Sequence, residues 1–447
     1  MRKSPIKTDI CAFVWNTFLY DARVYKECRS LAEDGYRVTL ICLQDGKSRL
    51  PSEETVDGFR VLRVPKGIFM FGHDILRGSL RYVTALTLLL LIGLSCLLSP
   101  VLALCLLAVA VLAYVLHAPK FILNATAILR MVRAGRRCHA EIYHANDLNT
   151  LPQAIVCAGL FRKRAAVVYD SHEVQTSRTG YGAFAKILEK HLIHRPDALF
   201  CENEIRADYT AKLYGIEPPV ALHNYADYYD AAKLRPQRVN LHERLGIPEE
   251  LPICLYQGGV QQGRGLRVLL RAVPLMDPCA VVYIGDGKIK NYLQSAVKER
   301  VLEKRVFFLP MVPRDELKYY TMDAYLGFQV LRDVCYNHHS ALSNKISEYT
   351  VAGVPVIASD LPAIAHYVTE YGTGILVDSD SPESIADAVN RLLRDPKLHA
   401  DLVRNSLRTA VSVNWQSEKN VLLREYHKLL LPPVRADNTD AERSVTS

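Results

Sequence analysis

The stretch Gln257-Gly-Gly-Val-Gln-Gln-Gly-Arg-Gly265 decides the fold. A short apolar run, Ile253–Tyr256, precedes it and reads as a strand. An amphipathic run follows, with Leu266, Leu269, Leu270 and Val273 on one face. Strand, Gly-rich loop and helix together make one βα unit. Its glycines let the backbone approach a phosphate, and the helix N-terminus offers free N–H groups and the positive end of a dipole. Arg264 adds a forked cation suited to a diphosphate. The loop matches neither the dinucleotide fingerprint nor the Walker loop, so a flexible turn with an exposed arginine is the competing reading.

Downstream the layout repeats. Ala280–Ile284 reads as a strand that runs into Gly285-Asp-Gly-Lys288 and then a helix. Val306–Leu309 and Asp323–Val330 read as strands. Asn337–Asn344 is a third loop, and it leads into a helix at Ser343–Ala352 closed by Gly353 and Pro355. Short strands at Val356–Ser359 and Gly374–Val377 follow, then a helix at Ser381–Leu393. A last amphipathic helix lies near Gln416–Leu430, and the polar tail from Pro433 is expected to be mobile. Asp378-Ser-Asp380 looks like a metal-binding pair of carboxylates, but it stands directly before a helix start and reads as capping.

Upstream a first alternating series has strands at Ile10–Val14, Arg37–Cys42, Phe59–Val64, Glu141–His144, Ala165–Tyr169 and Ala198–Cys201. Helices are expected at Asp21–Glu33, Lys120–Ala134, Thr150–Gly159 and Phe184–His194. The polar, strandless stretch Asn224–Asn240 reads as an interdomain connector. The fold class is therefore α/β, with two Rossmann-like doubly wound domains facing each other across a cleft. The expected division is 1–235 for the first domain, 236–414 for the second, 415–432 for a helix returning to the first, and 433–447 for the tail. Such sheets place ligands at the carboxyl ends of their strands.

Composition sets limits on this reading. At 447 residues, about 150 per domain suggests two or three domains. With 49% apolar and 23% charged residues, the chain can bury enough surface to fold, which excludes disorder as the main theme. A net charge of +8 fits an anionic substrate or membrane surface, and no nucleic-acid partner is expected. Eleven cysteines without a C-x-x-C pair argue against a disulfide framework or zinc knuckle and for a reducing compartment.

One tract departs from the alternating pattern. The 38 residues between Arg81 and Lys120 contain no Asp, Glu, Lys or Arg. The core of this tract, 83–116, would make a helix of about 51 Å, too long for a hydrocarbon layer of roughly 30 Å. Ser99-Pro100 at its middle divides it into two arms, Val83–Leu98 and Val101–Leu116. If the flanking segments share a domain, the chain must cross twice or dip and return, so a hydrophobic helical hairpin inserted in the first domain is expected to contact membrane lipids. Arg77 and Arg81 precede the tract. Lys120, Arg130, Arg133, Arg136 and Arg137 follow it, before the first acidic residue at Glu141. Basic flanks on both sides lead to the expectation that both domains lie on the cytoplasmic face.

Candidate chemistry sits in the loops. Lys345 lies where a helix dipole gains nothing from a cation, which points to an anionic ligand. Glu348 could accept hydrogen bonds from ligand hydroxyls. In the first half, Trp15–Tyr20 links strand to helix, with Asp21 and Arg23 at the helix start. His144-Ala-Asn-Asp147 and Asp170-Ser-His-Glu173 each follow a strand directly, the position for acid–base work. The bland reading makes Asp147 and Asp170 caps and the histidines packed.

The ordered set resembles the retaining GT-B glycosyltransferases of family four. The matching pieces are Asp21-x-Arg-Val24, the His144 and His172 loops, His223-Asn224, Tyr256-Gln-Gly-Gly259 through Arg264-Gly265, Ile284-Gly-Asp-Gly287, Asn344-Lys-Ile-Ser-Glu348 and Ala352-Gly-Val-Pro-Val-Ile357. The resemblance implies a nucleotide-sugar donor, with Arg264 and Lys345 on the diphosphate, Glu348 on the ribose, and Gly259 and Gly287 admitting the ligand to the backbone. It implies His172 beside the transferred sugar and Asp21 near the acceptor. Asn16, Arg23, His144 and Glu173 complete the expected acceptor side. The family often carries two glutamates eight residues apart; Glu348 fits the second, while Ser340 stands at the first and is the candidate donor contact there. Neither a metal nor another cofactor is called for. The function implied is transfer of a sugar, with retention, to a lipid-linked or membrane-held acceptor. The other readings are a non-catalytic nucleotide-sugar-binding scaffold and a nucleotide-sugar epimerase of the same architecture.

Overall fold

Two mostly parallel sheets organise the chain, as the alternating patterns require. The computed structural model describes residues 8–19, 21–44, 50–66, 101, 118–159, 165–178 and 181–430. The first sheet holds β1 (Asp9–Phe13), β2 (Arg37–Gln44), β3 (Glu53–Val56), β4 (Phe59–Pro65), β5 (Ile142–Asn146), β6 (Ala166–Ser171), β7 (Ala198–Cys201) and β8 (Val220–Ala221). Their spatial order is β3-β4-β2-β1-β5-β6-β7-β8. Among the described residues only β3 runs antiparallel, against β4.

The β3–β4 hairpin goes beyond the sequence reading. Its turn is Asp57-Gly58, with φ of 42° and 88°, the Asp-Gly pair favoured by tight hairpins. The preceding Glu53–Val56 alternates exposed and half-buried positions, so it lacks the apolar signature of the other strands.

The second sheet holds β9 (Ile253–Gln257), β10 (Ala280–Ile284), β11 (Val306–Leu309), β12 (Leu326–Gln329), β13 (Val356–Ser359) and β14 (Gly374–Val377). The order is β11-β10-β9-β12-β13-β14, all parallel. Every residue of β9 and β10 is buried, because helices cover both faces of a parallel sheet. This explains why these strands read as unbroken apolar runs.

Strand order reverses between β1 and β5 in the first sheet and between β9 and β12 in the second. A crevice opens at the carboxyl ends of the strands at such a point. The loops that follow β1, β6 and β7 and those that follow β9, β11 and β12 border one shared cleft.

The last helix, Trp415–Leu430, packs on the helix Ala22–Glu33. Its Trp415, Leu422 and Tyr426 are buried in the same core as Ile10, Val24 and Leu40 of the first sheet. The Trp415 indole Nε1 donates to Ser30 Oγ at 2.9 Å, and Lys26 Nζ lies 4.9 Å from its ring centroid. Trp415→Ala should therefore destabilise the protein by about 3–5 kcal/mol, measured as a lower urea midpoint.

The hairpin expected over 83–116 lies outside the described residues, apart from Val101, as does the tail from Pro433. Among the described residues no helix is long and apolar enough to cross a membrane.

Candidate active site

A cleft of about 740 Å³ runs between the two sheets. Six cations line it among the described residues: His172, Arg178, Arg206, Arg264, Arg314 and Lys345. Only three carboxylates face them, Glu173, Glu202 and Glu348. The cleft is thus built for an anion.

The second domain supplies the grip. The helix Asn344–Ala352 begins at the cleft, and its N-cap residue Ser343 makes no side-chain cap hydrogen bond. First-turn N–H groups at such an end attract a phosphate. Lys345 in that first turn is buried, with Nζ 5.5 Å from the Tyr256 ring centroid. Burial, with the charge of Arg264 nearby, lowers its pKa from 10.5 to about 7, against a smaller opposing pull from Glu348. Arg264 lines the same wall.

Glu348 lies three residues on, on the same helix face. It borders both the main cleft and an adjoining chamber of about 190 Å³. Gln257 Nε2 donates to Glu348 Oε2 at 2.5 Å, and Thr321 Oγ1 donates to Gln257 Oε1 at 2.8 Å. The carboxylate is thereby held in one orientation.

The glycines divide. Gly259 lines the cleft, and a Cβ there would meet nothing nearer than Gln261 Cγ at 3.5 Å. Gly287 does not line it. A Cβ on Gly287 would fall 2.2 Å from the Val260 carbonyl oxygen, and Val260 N donates to Asp286 O at 3.0 Å. The second Gly-rich loop therefore braces the first, and the expected ligand contact at Gly287 is corrected to a packing role.

Ser340 is also corrected. It is fully buried, donates to Tyr336 O at 2.8 Å, and accepts from Arg206 Nε at 3.1 Å. Arg206 also donates to His172 O at 2.6 Å and Asn337 O at 2.9 Å. The side chain of Ser340 thus closes a contact between the domains and does not reach the donor cleft. Asn337 reinforces that contact by exchanging two hydrogen bonds with the Val174 backbone, 2.7 and 3.1 Å.

His172 sits between the two lobes of the cleft. Its Nε2 is 3.0 Å from Asp170 Oδ2 and 3.2 Å from Asn146 Oδ1, and its backbone N–H donates to Asp147 Oδ1 at 3.1 Å. Burial disfavours the imidazolium, but the carboxylates of Asp170 and Asp147 outweigh it and raise the pKa from 6.5 to about 10. His172 is a cation at neutral pH. Asp170, fully buried, is held by Arg23 through two bonds of 2.6 and 2.8 Å. Burial pushes Asp170 up, yet Arg23 and His172 prevail and hold it well below the usual carboxylate range. Glu27, Asp170 and His172 bring ligand atoms within 4.8 Å of one another, a spacing that could suit a metal. Arg23 already answers both carboxylates, with Glu27 Oε1 at 3.0 Å from its Nε.

The first-domain lobe, about 410 Å³, is bordered by Asn16, Asp21, Arg23 and His172. Asp21 caps the helix Ala22–Glu33: its Oδ1 accepts from Val24 N at 3.1 Å, and its Oδ2 accepts from Asn16 Nδ2 at 2.8 Å. Arg23 borders the lobe with a guanidinium committed to Asp170, Glu27 and Leu222 O. Glu173 faces the main cleft, paired with Arg178 at 3.0 Å. His144 lies elsewhere. It is buried, with Nδ1 2.5 Å from Tyr426 Oη, and burial lowers its pKa to about 4. The acceptor-side expectation for His144 is corrected to a core contact beneath the last helix, since it stands mid-strand in β5 instead of at the strand's end.

Asp378-Ser-Asp380 forms part of the turn before the helix Pro382–Arg394. Asp380 N donates to Asp378 Oδ1, and Ser381 Oγ accepts from Ser384 N. Asn224, singled out in the sequence as part of His223-Asn224, lines the cleft, and so do Glu202 and Arg206, which sequence reading missed. Glu202 follows β7 immediately, and the carboxyl-end rule was enough to find it. Arg206 sits inside a helix and carries no such signal.

Residues 237–409 match the family model described as glycosyl transferases group 1. That stretch takes in most of the second domain, from just before β9 to beyond β14. Over 251 residues the chain is 25% identical to a D-inositol 3-phosphate glycosyltransferase of Xylanimonas cellulosilytica, covering 53% of this chain and 58% of that relative. Over 230 residues it is 26% identical to an alpha-D-kanosaminyltransferase of Streptomyces kanamyceticus, covering 50% and 58%. The chain spans little more than half the length of these curated relatives. Among solved structures, sucrose-phosphate synthase from Thermosynechococcus elongatus aligns with a TM-score of 0.67 at 16% identity, over 95% of this chain and 99% of that one. Anabaena HepE in complex with UDP aligns with a TM-score of 0.65 at 13% identity, over 94% and 100%. The fold is GT-B.

Proposed function

We propose that this protein transfers a sugar, with retention, from a nucleoside-diphosphate donor to a lipid-linked or membrane-held acceptor during surface polysaccharide or glycoconjugate synthesis. The observation that carries the donor half is Lys345 in the uncapped first turn of a helix, with Arg264 on the same wall. Departure of a nucleoside diphosphate builds negative charge, and fixed cations with a helix N-terminus stabilise it without reorganising. HepE, one of the structural neighbours, was solved with UDP, which makes UDP the first nucleotide to test. Retention follows the resemblance to the retaining family. The membrane half rests on the 34-residue tract 83–116 and its basic flanks, which would keep the catalytic domains on the cytoplasmic face, near a lipid-borne acceptor.

The test is consumption of a panel of UDP- and GDP-sugars by detergent-solubilised protein, with the anomeric product assigned by NMR. Turnover of at least one is expected; inertness toward all of them would sink the reading.

Lys345 also predicts a pH profile. It must be charged to hold a diphosphate, and it loses that charge as pH rises through about 7. Donor kcat/KM, which reports the free enzyme, should therefore fall about tenfold per pH unit above that point. The residual activity of Lys345→Ala should lack this limb.

A further inference from the structure

The two lobes of the cleft differ in charge, and the difference says what kind of acceptor enters. The donor lobe has six lining cations to three carboxylates; His172, Arg178, Arg206 and Arg314 each have a protein carboxylate within 3.1 Å, while Arg264 and Lys345 have no such ion pair among the described residues. Among the described residues the first-domain lobe has two of each: Arg23 and His172 against Asp21 and Glu202. Its cations are already spent. Arg23 gives two bonds to Asp170, one to Leu222 O, and sits 3.0 Å from Glu27. His172 is bonded to the same Asp170. A phosphate entering this lobe would meet no free cation among the described residues, and it would face two carboxylates.

Glu202 stands where the lobes meet, bordering both, together with His172 and Asn224. Its Oε2 lies 2.5 Å from Arg206 Nη1, and the side chain is 15% exposed. Arg206 is itself pinned to His172 O, Asn337 O and Ser340 Oγ. Glu202 is thus a carboxylate fixed at the junction by an anchored guanidinium, and a carboxylate accepts hydrogen bonds from hydroxyls.

We infer that the first-domain lobe takes a neutral, hydroxyl-bearing acceptor such as an uncharged sugar ring, and that Glu202 accepts a hydrogen bond from its hydroxyl at the junction. This deepens the proposed function and rests on it. A lipid-linked acceptor satisfies it when the ring presented to the cleft is neutral and any phosphate lies farther along the lipid.

The experiment uses full-length, detergent-solubilised protein with the donor found by the panel. Octyl hexosides are compared with inositol 3-phosphate and hexose 6-phosphates as acceptors. Transfer to at least one octyl hexoside is expected, with the phosphates at least tenfold poorer. Glu202→Gln should lower acceptor kcat/KM about 10- to 100-fold, the loss of one charge-assisted hydrogen bond. Its rise in unfolding midpoint with UDP or GDP, whichever matches that donor, should persist, which shows that the variant is folded and binds donor. Glu202→Asp should recover part of the loss. Preference for a phosphorylated acceptor, transfer to neither class, or unchanged acceptor kinetics in Glu202→Gln overturns the inference while leaving the donor reading intact. No midpoint rise with UDP or GDP in the wild-type protein overturns the donor reading, and this inference with it.

Discussion

Replacing Lys345 with alanine should lower kcat/KM for the nucleotide-sugar about 100- to 1,000-fold, the usual scale for losing one preorganised group that stabilises developing charge. The reason is local. Lys345 is buried at the start of a helix whose N-cap side chain leaves the end open, and the Arg264 charge lies close enough to depress its pKa. That crowding of positive charge is unfavourable in the empty protein and is relieved only by an anion. The substitution should therefore leave folding nearly intact, and removing an unfavourable charge even offsets part of the lost packing. Initial-rate kinetics against donor concentration, beside a urea titration, would separate the two effects. A variant with wild-type kinetics would remove Lys345 from the donor site.

The second large effect is on stability. Asp170→Ala should cost about 3–5 kcal/mol, because it leaves Arg23 buried without its two-bond partner. Two charges depend on this carboxylate, Arg23 and His172. Removing it should also return the His172 pKa toward its ordinary value, since Asp170 is foremost among the groups that raise it. The imidazole NMR titration should move down from about 10 accordingly. Asp170→Asn keeps the shape but not the charge, and should fall between wild type and alanine. A stability loss under 1 kcal/mol for Asp170→Ala would show that Arg23 finds another partner.

Much of this architecture was readable from residue order. Apolar runs such as Ile253–Tyr256 and Ala280–Ile284 were recognisable because both faces of those strands are covered. Glycine-rich loops at the strand ends pointed to the cleft. Arg264, Lys345, Glu348 and His172 all border it, and each was singled out from its place beside a strand end or a helix start. The β3–β4 hairpin escaped because a half-exposed edge strand carries no apolar run.

What the residue order determined by itself was local: strands, helix starts, the loops that end at the cleft, and an apolar tract too long for an ordinary core. These depend on neighbours within a few positions, and periodicity and backbone preference act at that range. What only the tertiary structure decided was which of the marked side chains reach the cleft. His144 and His172 occupy similar sequence settings, yet one is buried against Tyr426, 282 residues away, and the other lies between the lobes. Ser340 turned inward because Arg206, 134 residues earlier, needed an acceptor. A side chain's partner is set by packing between segments distant in the chain, and a buried charge or polar group must take whatever partner that packing brings.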